Sequence, residues 1–343
     1  MGTGRTKLVA SVALFVGLTV AGALWALSRA PISLSDLWVI TRLPTGSLIA
    51  LGVLCAGIYV TDVLRYRSVG RSVGTTIPWR AAFDASVANF FFSWITPGAT
   101  FGVPATIYML GRRGVPWDAT VAVAFVKSFT GVGIVVLASL VFVITGLGPS
   151  YDAAVLGVVL FGGGVFATLL GLLVAAAFRP PAAKRVIARW FGWLGRRFGG
   201  GRRLASAEQV TGDAIDRLAQ LRTAGPWVLL WMITTQVLYF AVFASVGVVL
   251  MQAFGGEVGV RPFAATVIYI AFTYLAPTPG GAGFAEAMAL PFFGPLLPAD
   301  QAVLFVLSFR GLTLYLQIGF AIPYMLVVGG VREIAARVDK RDG

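Results

Sequence analysis

Long apolar stretches alternate with short polar segments along most of the chain. Six stretches are long enough to cross a membrane as helices, because about 20 apolar residues span the ~30 Å of hydrocarbon. They cover residues 8–27, 43–64, 119–145, 153–178, 226–254 and 302–328. The first is longer than the apolar core of a secretory signal peptide, so we interpret it as a spanning helix. The pattern predicts an all-α polytopic membrane protein with a single transmembrane domain over residues 1–343.

Two further apolar stretches, 83–111 and 262–293, are interrupted in the middle by proline and glycine. The first contains Thr96-Pro97-Gly98 and the second contains Pro277-Thr278-Pro279-Gly280-Gly281. Each limb of about 13 residues rises ~20 Å as a helix, which is too short to cross the membrane alone. We therefore predict two re-entrant broken-helix hairpins, each entering the membrane and returning to the same side.

The distribution of lysine and arginine supports this arrangement, because cytoplasmic loops of membrane proteins carry an excess of both. With two re-entrant hairpins and a cytoplasmic N-terminus, the inside receives 22 basic residues and the outside receives 3. If the first broken segment spans instead, the best orientation gives 18 against 7. We predict a multi-pass protein of the cytoplasmic membrane of a prokaryote, with both termini in the cytoplasm.

The same series of elements occurs twice. Residues 43–145 contain a spanning helix, a hairpin and a second spanning helix, and residues 226–328 contain this series in the opposite orientation. Lys127 follows Thr96 by 31 residues, and Arg310 follows Thr278 by 32 residues. We predict an inverted repeat, which is typical of transporters whose substrate lies between the two halves.

Composition disfavours several classes of function. Without histidine, the chain has no imidazole for metal binding, general-base catalysis or nucleophile activation. Its single cysteine, Cys55, forms no intrachain disulfide. The net charge of +13 arises from basic residues that flank apolar segments, which favours topology signals and anionic-lipid contacts over nucleic-acid binding. We expect no metal and no cofactor.

The longest polar region, residues 179–225, is predicted to be a cytoplasmic connector between the repeats. Basic residues alternate with Trp190, Trp193 and other apolar residues before Gly199-Gly200-Gly201, which indicates a basic amphipathic helix on the membrane surface. A second amphipathic helix is expected over 205–222. A solvated connector that only fixes the topology is the alternative interpretation.

Lys127 and Arg310 are the first candidates for function, because a cation at the bilayer centre costs ~3 kcal/mol and needs a partner or a watery cavity. The structural explanation is a pair of internal salt bridges, with Glu286 as the partner of Arg310 and Asp84 as a partner of Lys127. The functional explanation is capture of an anionic headgroup. Both explanations hold together if the ion pairs open when substrate arrives.

The hairpin tips are the second candidates. Because proline lacks a donor and glycine admits unusual dihedral angles, we expect free backbone N–H groups over 99–103 and 282–285, where each second limb begins. A positive helix end beside a cation is a site for phosphate or carboxylate. A structural kink is the alternative for either break. The predicted substrate-binding residues are Thr96, Pro97, Gly98, Lys127, Thr278, Pro279, Gly280, Gly281, Gly283, Glu286 and Arg310.

These motifs resemble those of the lysylphosphatidylglycerol synthase transmembrane family, also called flippase-like proteins. The resemblance covers about residues 43–328 and is most specific at PTPGGAGFAEAMALPFF and FVLSFRGLTLYLQI. The earlier motif, ITPGATFGVPATIYMLGRRGVPWDATVAVAF, is a partial match. It adds Gly102 to the candidate site, whereas Val103 stands where many members have glutamate. The resemblance implies two re-entrant hairpins and movement of an anionic, aminoacylated or polyprenyl-linked lipid between leaflets.

Three functions are compatible with these features. A lipid transporter explains the opposed repeats and the buried cations. An intramembrane enzyme acting on a lipid phosphate needs a base or nucleophile, for which Glu286, Asp84 and Asp62 are the acids in or near the motif spans. The third is an accessory subunit of a lipid-modifying system. The expected partners are anionic or polyprenyl-linked membrane lipids, with a separate lipid-modifying enzyme as an open alternative and no nucleic acid.

Overall fold

The computed structural model describes residues 17, 43–96, 99, 101–151, 153–198, 202–276 and 278–328, and this part of the chain is helical without strands. The predicted first span lies outside it, apart from Gly17. The described helices are α1 (Thr45–Ser72), α2 (Trp79–Ile95), α3 (Gly102–Arg112), α4 (Trp117–Ile144), α5 (Ala153–Phe178), α6 (Pro180–Phe198), α7 (Arg202–Ala219), α8 (Pro226–Ala253), α9 (Val260–Leu275), α10 (Phe284–Ala287), α11 (Ala289–Phe293), α12 (Ala299–Arg310) and α13 (Leu316–Val327). A 3₁₀ turn, Gln220–Arg222, follows α7, and a π-helical turn, Gly311–Tyr315, joins α12 to α13.

Among the described residues, five helical segments are long and apolar enough to cross a membrane. They are Thr45–Ser72, Trp117–Ile144, Leu160–Phe178, Pro226–Ala253 and Gln301–Val327. These segments coincide with five of the predicted spans, so the prediction of a polytopic membrane protein is confirmed. Large apolar side chains such as Ile49, Phe161 and Trp227 point outward, as expected for helices whose solvent is lipid rather than water.

Each broken segment folds back on itself. In the first hairpin, α2 and α3 approach so closely that a Cβ at Gly102 would lie 1.9 Å from Oγ of Ser93. In the second, the hydroxyl of Tyr269 donates to the carbonyl of Ala285 at 3.2 Å and so joins α9 to α10. The second limb of this hairpin is two short helices rather than one, because Pro291 has no N–H for the preceding turn.

The first helices of the two halves, α1 and α8, lie antiparallel along each other. Ser68 and Thr235 share a hydrogen bond of 2.7 Å between their hydroxyl oxygens. Further along, a Cβ at Gly57 would lie 3.2 Å from Val242. Residue numbers therefore fall along α1 as they rise along α8, so these two helices run in opposite directions.

The hairpins pack across the boundary between the halves. Trp94 of α2 donates from Nε1 to Oε1 of Gln317 in α13 at 3.1 Å. On the other side, Ser139 of α4 donates from Oγ to the carbonyl of Val267 in α9 at 3.5 Å. Each hairpin thus contacts the last spanning segment of the opposite half. The two contacts are therefore equivalent in the two halves of the protein.

The connector forms the two predicted helices, α6 and α7. Trp190 and Trp193 of α6 are exposed. α7 is fixed to the start of α4 by a 2.6 Å ion pair between Nε of Arg217 and Oδ2 of Asp118. The glycine triplet between the two helices lies outside the described residues. The connector is therefore anchored to the helix that carries Lys127.

Candidate functional site

A cavity of about 300 Å³ lies between the two halves of the protein. Both hairpins line it, close to their tips, together with parts of α1, α4, α5 and α8. The residues contributed by the tips and their second limbs are Ala99 and Val103 from the first hairpin and Thr278, Gly280 and Gly281 from the second. The sequence prediction that both tips face one site is therefore consistent with the position of this cavity.

The cavity wall combines two cations with aromatic side chains. Within the described residues, the charged groups in the wall are Arg65 of α1 and Lys127 of α4, and no aspartate or glutamate lines it. Phe125, Phe129 and Phe166 form an apolar part of the wall. A mixed lining of this kind suits a ligand with a charged head and an apolar body.

Lys127 pairs with Asp62, not with Asp84. Its Nζ lies 2.9 Å from Oδ1 of Asp62 and 4.1 Å from the centroid of the Tyr66 ring. Asp84 instead pairs with Arg113. The predicted Asp84 partner is therefore wrong. Lys127 lies about 15 Å from the start of α4, measured along the helix axis. Asp84 and Arg113 instead lie at the base of the first hairpin, where its two limbs enter the membrane.

Asp62 is shared between two cations. Its carboxylate is fully buried and accepts hydrogen bonds from Nη1 of Arg65 at 2.8 Å and from Oγ of Ser86 at 2.7 Å, in addition to its contact with Lys127. One carboxylate therefore balances two positive side chains. This cluster, which we call the Asp62 cluster (Asp62, Arg65 and Lys127), retains one positive charge beside the cavity when all three groups are ionised.

Arg65 joins the two halves of the protein. Its Nε donates to Oε1 of Gln236 in α8 at 2.5 Å, and its guanidinium lies 4.1 Å from the centroid of the Tyr239 ring. A Cβ at Gly131 would lie 2.3 Å from Nη2 of Arg65, so glycine at this position in α4 leaves room for the guanidinium. The predicted span ended at residue 64, so Arg65 fell just outside it, on its cytoplasmic side. Asp62 and Arg65 are three residues apart and so lie on one helix face, and this spacing is the sequence signal that could have identified them.

Arg310 and Glu286 form the predicted pair. Nε of Arg310 lies 2.5 Å from Oε1 of Glu286, and both side chains are buried. Nη1 of Arg310 also donates to the carbonyl of Gly280 at 3.1 Å. Arg310 lines a separate cavity of about 20 Å³ and is absent from the wall of the large one. The prediction of an Arg310–Glu286 salt bridge is therefore confirmed, and the pair holds the tip of the second hairpin from behind.

The backbone N–H groups at the second tip are bonded within the tip itself. The N–H of Ala282 donates to the carbonyl of Pro279 at 2.8 Å, and that of Gly283 donates to Oε2 of Glu286 at 2.8 Å. Gly280, at φ 55°, permits this tight turn because glycine adopts positive φ without strain. The expectation of free N–H groups is therefore wrong for these residues. Glu286 occupies the place that a ligand anion was predicted to take.

The two threonines of the tip motifs differ. At the first tip, Oγ1 of Thr96 donates to the carbonyl of Phe92 at 2.5 Å and accepts from the N–H of Phe101 at 3.3 Å. At the second, Thr278 lines the cavity, and its buried Oγ1 has no hydrogen-bond partner among the described residues. Thr96 closes its own tip, whereas the Thr278 hydroxyl is available to a ligand. Pro97 and Gly98 lie outside the described residues.

Comparison with known families matches residues 7–321 to the family described as the lysylphosphatidylglycerol synthase TM region. The match includes both hairpins and both buried ion clusters. No curated protein matches the chain.

Proposed function

Because the chain belongs to the lysylphosphatidylglycerol synthase TM family, we propose that it moves an anionic, aminoacylated or polyprenyl-linked lipid between the leaflets of its membrane. The observation that carries this proposal is the cavity between the two hairpin tips, with Arg65 and Lys127 in its wall. The lipid headgroup passes through this cavity while its tails remain in hydrocarbon. Discontinuous helices that meet at a central site are the usual construction of transporters that work by alternating access.

The opposed directions of α1 and α8 support an inverted repeat as the basis of this movement. In this proposal the first hairpin faces the cytoplasmic leaflet and the second faces the outer leaflet. Each half then serves one side of the membrane, and the Asp62 cluster lies between them. The connector helices α6 and α7 lie in the cytoplasm, with both termini on the same side, in the cytoplasmic membrane of a prokaryote.

The intramembrane enzyme is supported less well. Asp62, Asp84 and Glu286, the acids considered as base or nucleophile, are each paired with a cation, and none of them lines the large cavity. A catalytic base must come within hydrogen-bond reach of the proton that it removes. Transport requires no such group, so transport is the function that this geometry favours.

Exchange of labelled lipids in proteoliposomes tests the proposal. Dithionite quenches a fluorescent lipid in the outer leaflet, so a protein that exchanges lipid raises the quenched fraction above the protein-free value. Gly280→Val should abolish this rise, because valine at φ 55° distorts the tip that lines the cavity. Gly114→Val is the matched control, since Gly114 also has positive φ, 85°, but lies outside the cavity in the loop between α3 and α4.

Equal quenching in wild type, Gly280→Val and empty liposomes, across anionic, aminoacylated and polyprenyl-linked lipids, would overturn the transport proposal. A change in the chemical structure of the lipid would instead support the enzyme.

Cysteine labelling tests the proposed orientation. In a Cys55→Ser background, Ala188→Cys in α6 and Val258→Cys before α9 each provide one exposed thiol. We expect an impermeant maleimide to label position 258 on intact cells and position 188 only after permeabilisation. Labelling of position 188 on intact cells would show that α6 lies outside the cell and that the proposed orientation is wrong.

A further inference from the structure

The charge of the cavity wall distinguishes between the lipids that the proposed function leaves open. Within the described residues, Arg65 and Lys127 line the cavity without an acidic neighbour in the wall. Asp62, which balances them in part, is fully buried and already accepts from both cations and from Ser86. A headgroup that enters the cavity therefore meets an excess of positive charge.

We infer that the cavity accepts lipids whose headgroup has a net negative charge on phosphate and rejects headgroups made cationic by an aminoacyl group. This inference rests on the proposed function and narrows its substrate class. A guanidinium and an ammonium on one wall are the side chains that proteins use to bind phosphate. The phosphate of the lipid lies against Arg65 and Lys127, where it supplies the negative charge that Asp62 leaves unbalanced.

The remaining polar groups of the wall fit the neutral part of such a headgroup. Asn89, Ser93, Ser128 and Thr278 line the cavity and carry amide or hydroxyl groups, which donate and accept hydrogen bonds. They match the hydroxyls of a glycerol or sugar unit. An alanyl ester adds one ammonium group to the headgroup and a lysyl ester adds two, and these groups find no carboxylate in the described wall. Repulsion between like charges is strong where water is scarce.

Val103 provides a direct way to reverse this preference. It is the second residue of α3 and lines the cavity from the first hairpin. Val103→Glu places a carboxylate in the wall and offsets one of the two cations. Val103→Gln introduces a side chain of the same length without the charge, so it is the matched control for size and polarity.

The experiment compares phosphatidylglycerol with lysylphosphatidylglycerol, both labelled on an acyl chain, in proteoliposomes of wild type, Val103→Glu and Val103→Gln. In wild type and in Val103→Gln, we expect phosphatidylglycerol to be exchanged at least about tenfold faster than lysylphosphatidylglycerol, since the two lipids differ in the sign of their charge. Val103→Glu should reduce this ratio by at least about tenfold or reverse it. Size-exclusion chromatography and thermal unfolding verify that each variant is folded.

Competition binding to the detergent-solubilised protein, measured by native mass spectrometry, makes the two possible failures distinguishable. Selective binding of phosphatidylglycerol without exchange supports the charge selectivity and overturns the proposed transport. Exchange of both lipids at equal rates by wild type supports transport and overturns the selectivity. If Val103→Glu is folded and active but leaves the ratio of the two exchange rates unchanged, the charge selectivity is also overturned. Glycerol 3-phosphate is the soluble competitor, and its displacement of phosphatidylglycerol at equal concentration would assign the site to a free phosphate ester instead of a lipid.

Discussion

Both halves of the protein bury cations in spanning segments, but they bond them differently. Lys127 shares Asp62 with Arg65 and lines the large cavity, whereas Arg310 is paired one-to-one with Glu286 and lies behind the second hairpin tip. Two cations on one carboxylate leave a positive charge for a ligand. A single cation on a single carboxylate leaves none.

This difference separates two roles that the sequence places at corresponding positions. Arg310 contacts the tip through Gly280 and through Glu286, whose other oxygen accepts from Gly283. It therefore fixes the shape of the hairpin. The π-helical turn that begins directly after Arg310 is a distortion that occurs frequently at functional sites of helical proteins. Binding of the anion, by contrast, is the role that we propose for the Asp62 cluster.

The largest effect is expected from Asp62→Asn. This change leaves Lys127 and Arg65 buried without their carboxylate, and removal of one partner of a buried ion pair costs about 3–5 kcal/mol. We expect strongly reduced thermal stability and low yield. Fluorescence-detected size-exclusion chromatography after heating measures the thermal stability. The double variant Asp62→Asn with Lys127→Met should recover part of the stability, and wild-type stability in Asp62→Asn would contradict the shared-carboxylate description.

The second largest effect is expected at the two cations and is different for each. Lys127→Met should lower lipid exchange by at least about tenfold with little loss of stability, because Asp62 keeps Arg65 and a midplane cation costs ~3 kcal/mol to insert. Arg310→Met should lower both exchange and stability, because it leaves Glu286 buried and releases the tip. Yield, thermal unfolding and dithionite quenching measured on the same preparations separate the two patterns.

The double variant Arg310→Met with Glu286→Gln tests the positioning role of Arg310. It removes the stranded carboxylate, so stability should recover together with part of the exchange activity. Recovery of stability with no exchange at all would mean that Arg310 contacts the substrate directly, and the distinction between the two halves would then be wrong.

Sequence patterns predicted the hairpins and one of the two ion clusters, for identifiable reasons. The length of the apolar stretches and the proline–glycine breaks determine where helices can cross and where they must turn. Glu286 and Arg310 belong to neighbouring motifs, so their pairing followed from proximity along the chain. Asp62 and Lys127 belong to different helices, and their contact depends on how α1 packs against α4.

The length of α1 explains why the predicted span ended before Arg65. Apolar residues end near position 64, which suggested the end of the span, yet the helix continues to Ser72. Its last turns are stabilised by contacts with other helices, including the hydrogen bond from Arg65 to Gln236. Tertiary contacts of this kind leave little periodic signal in a single sequence. A polar face directed toward protein instead of lipid therefore resembles a loop.

A smaller effect is expected from Gly131→Ala, with Gly133→Ala as its neighbour on the same helix. The new methyl group at position 131 would lie 2.3 Å from Nη2 of Arg65, whereas at position 133 it would lie 3.1 Å from the flexible side chain of Leu170. Both changes gain up to about 1 kcal/mol of helix propensity. Exchange should fall by several-fold for Gly131→Ala alone, because the guanidinium is displaced from the wall. Equal activity of the two variants would show that the position of Arg65 is unimportant.

The smallest effect, and the one that compares the two tips most directly, is expected from replacing each tip threonine by valine. Thr96→Val removes a hydroxyl that bonds Phe92 and Phe101, so it should lower stability by about 1 kcal/mol or more. Thr278→Val removes a buried hydroxyl without a partner among the described residues, so stability should be unchanged or slightly higher.

Lipid exchange gives the opposite ranking for these two variants if the tips have different roles. Thr278 lines the cavity and Thr96 does not, so Thr278→Val should slow exchange of phosphatidylglycerol by a few-fold, about the value of one lost hydrogen bond. Thr96→Val should slow it only in proportion to its loss of folded protein. Initial rates normalised to the folded fraction make this comparison. If normalised rates are equal to wild type for Thr278→Val and reduced for Thr96→Val, the ligand contacts the first tip, and the assignment of the two tips must be exchanged.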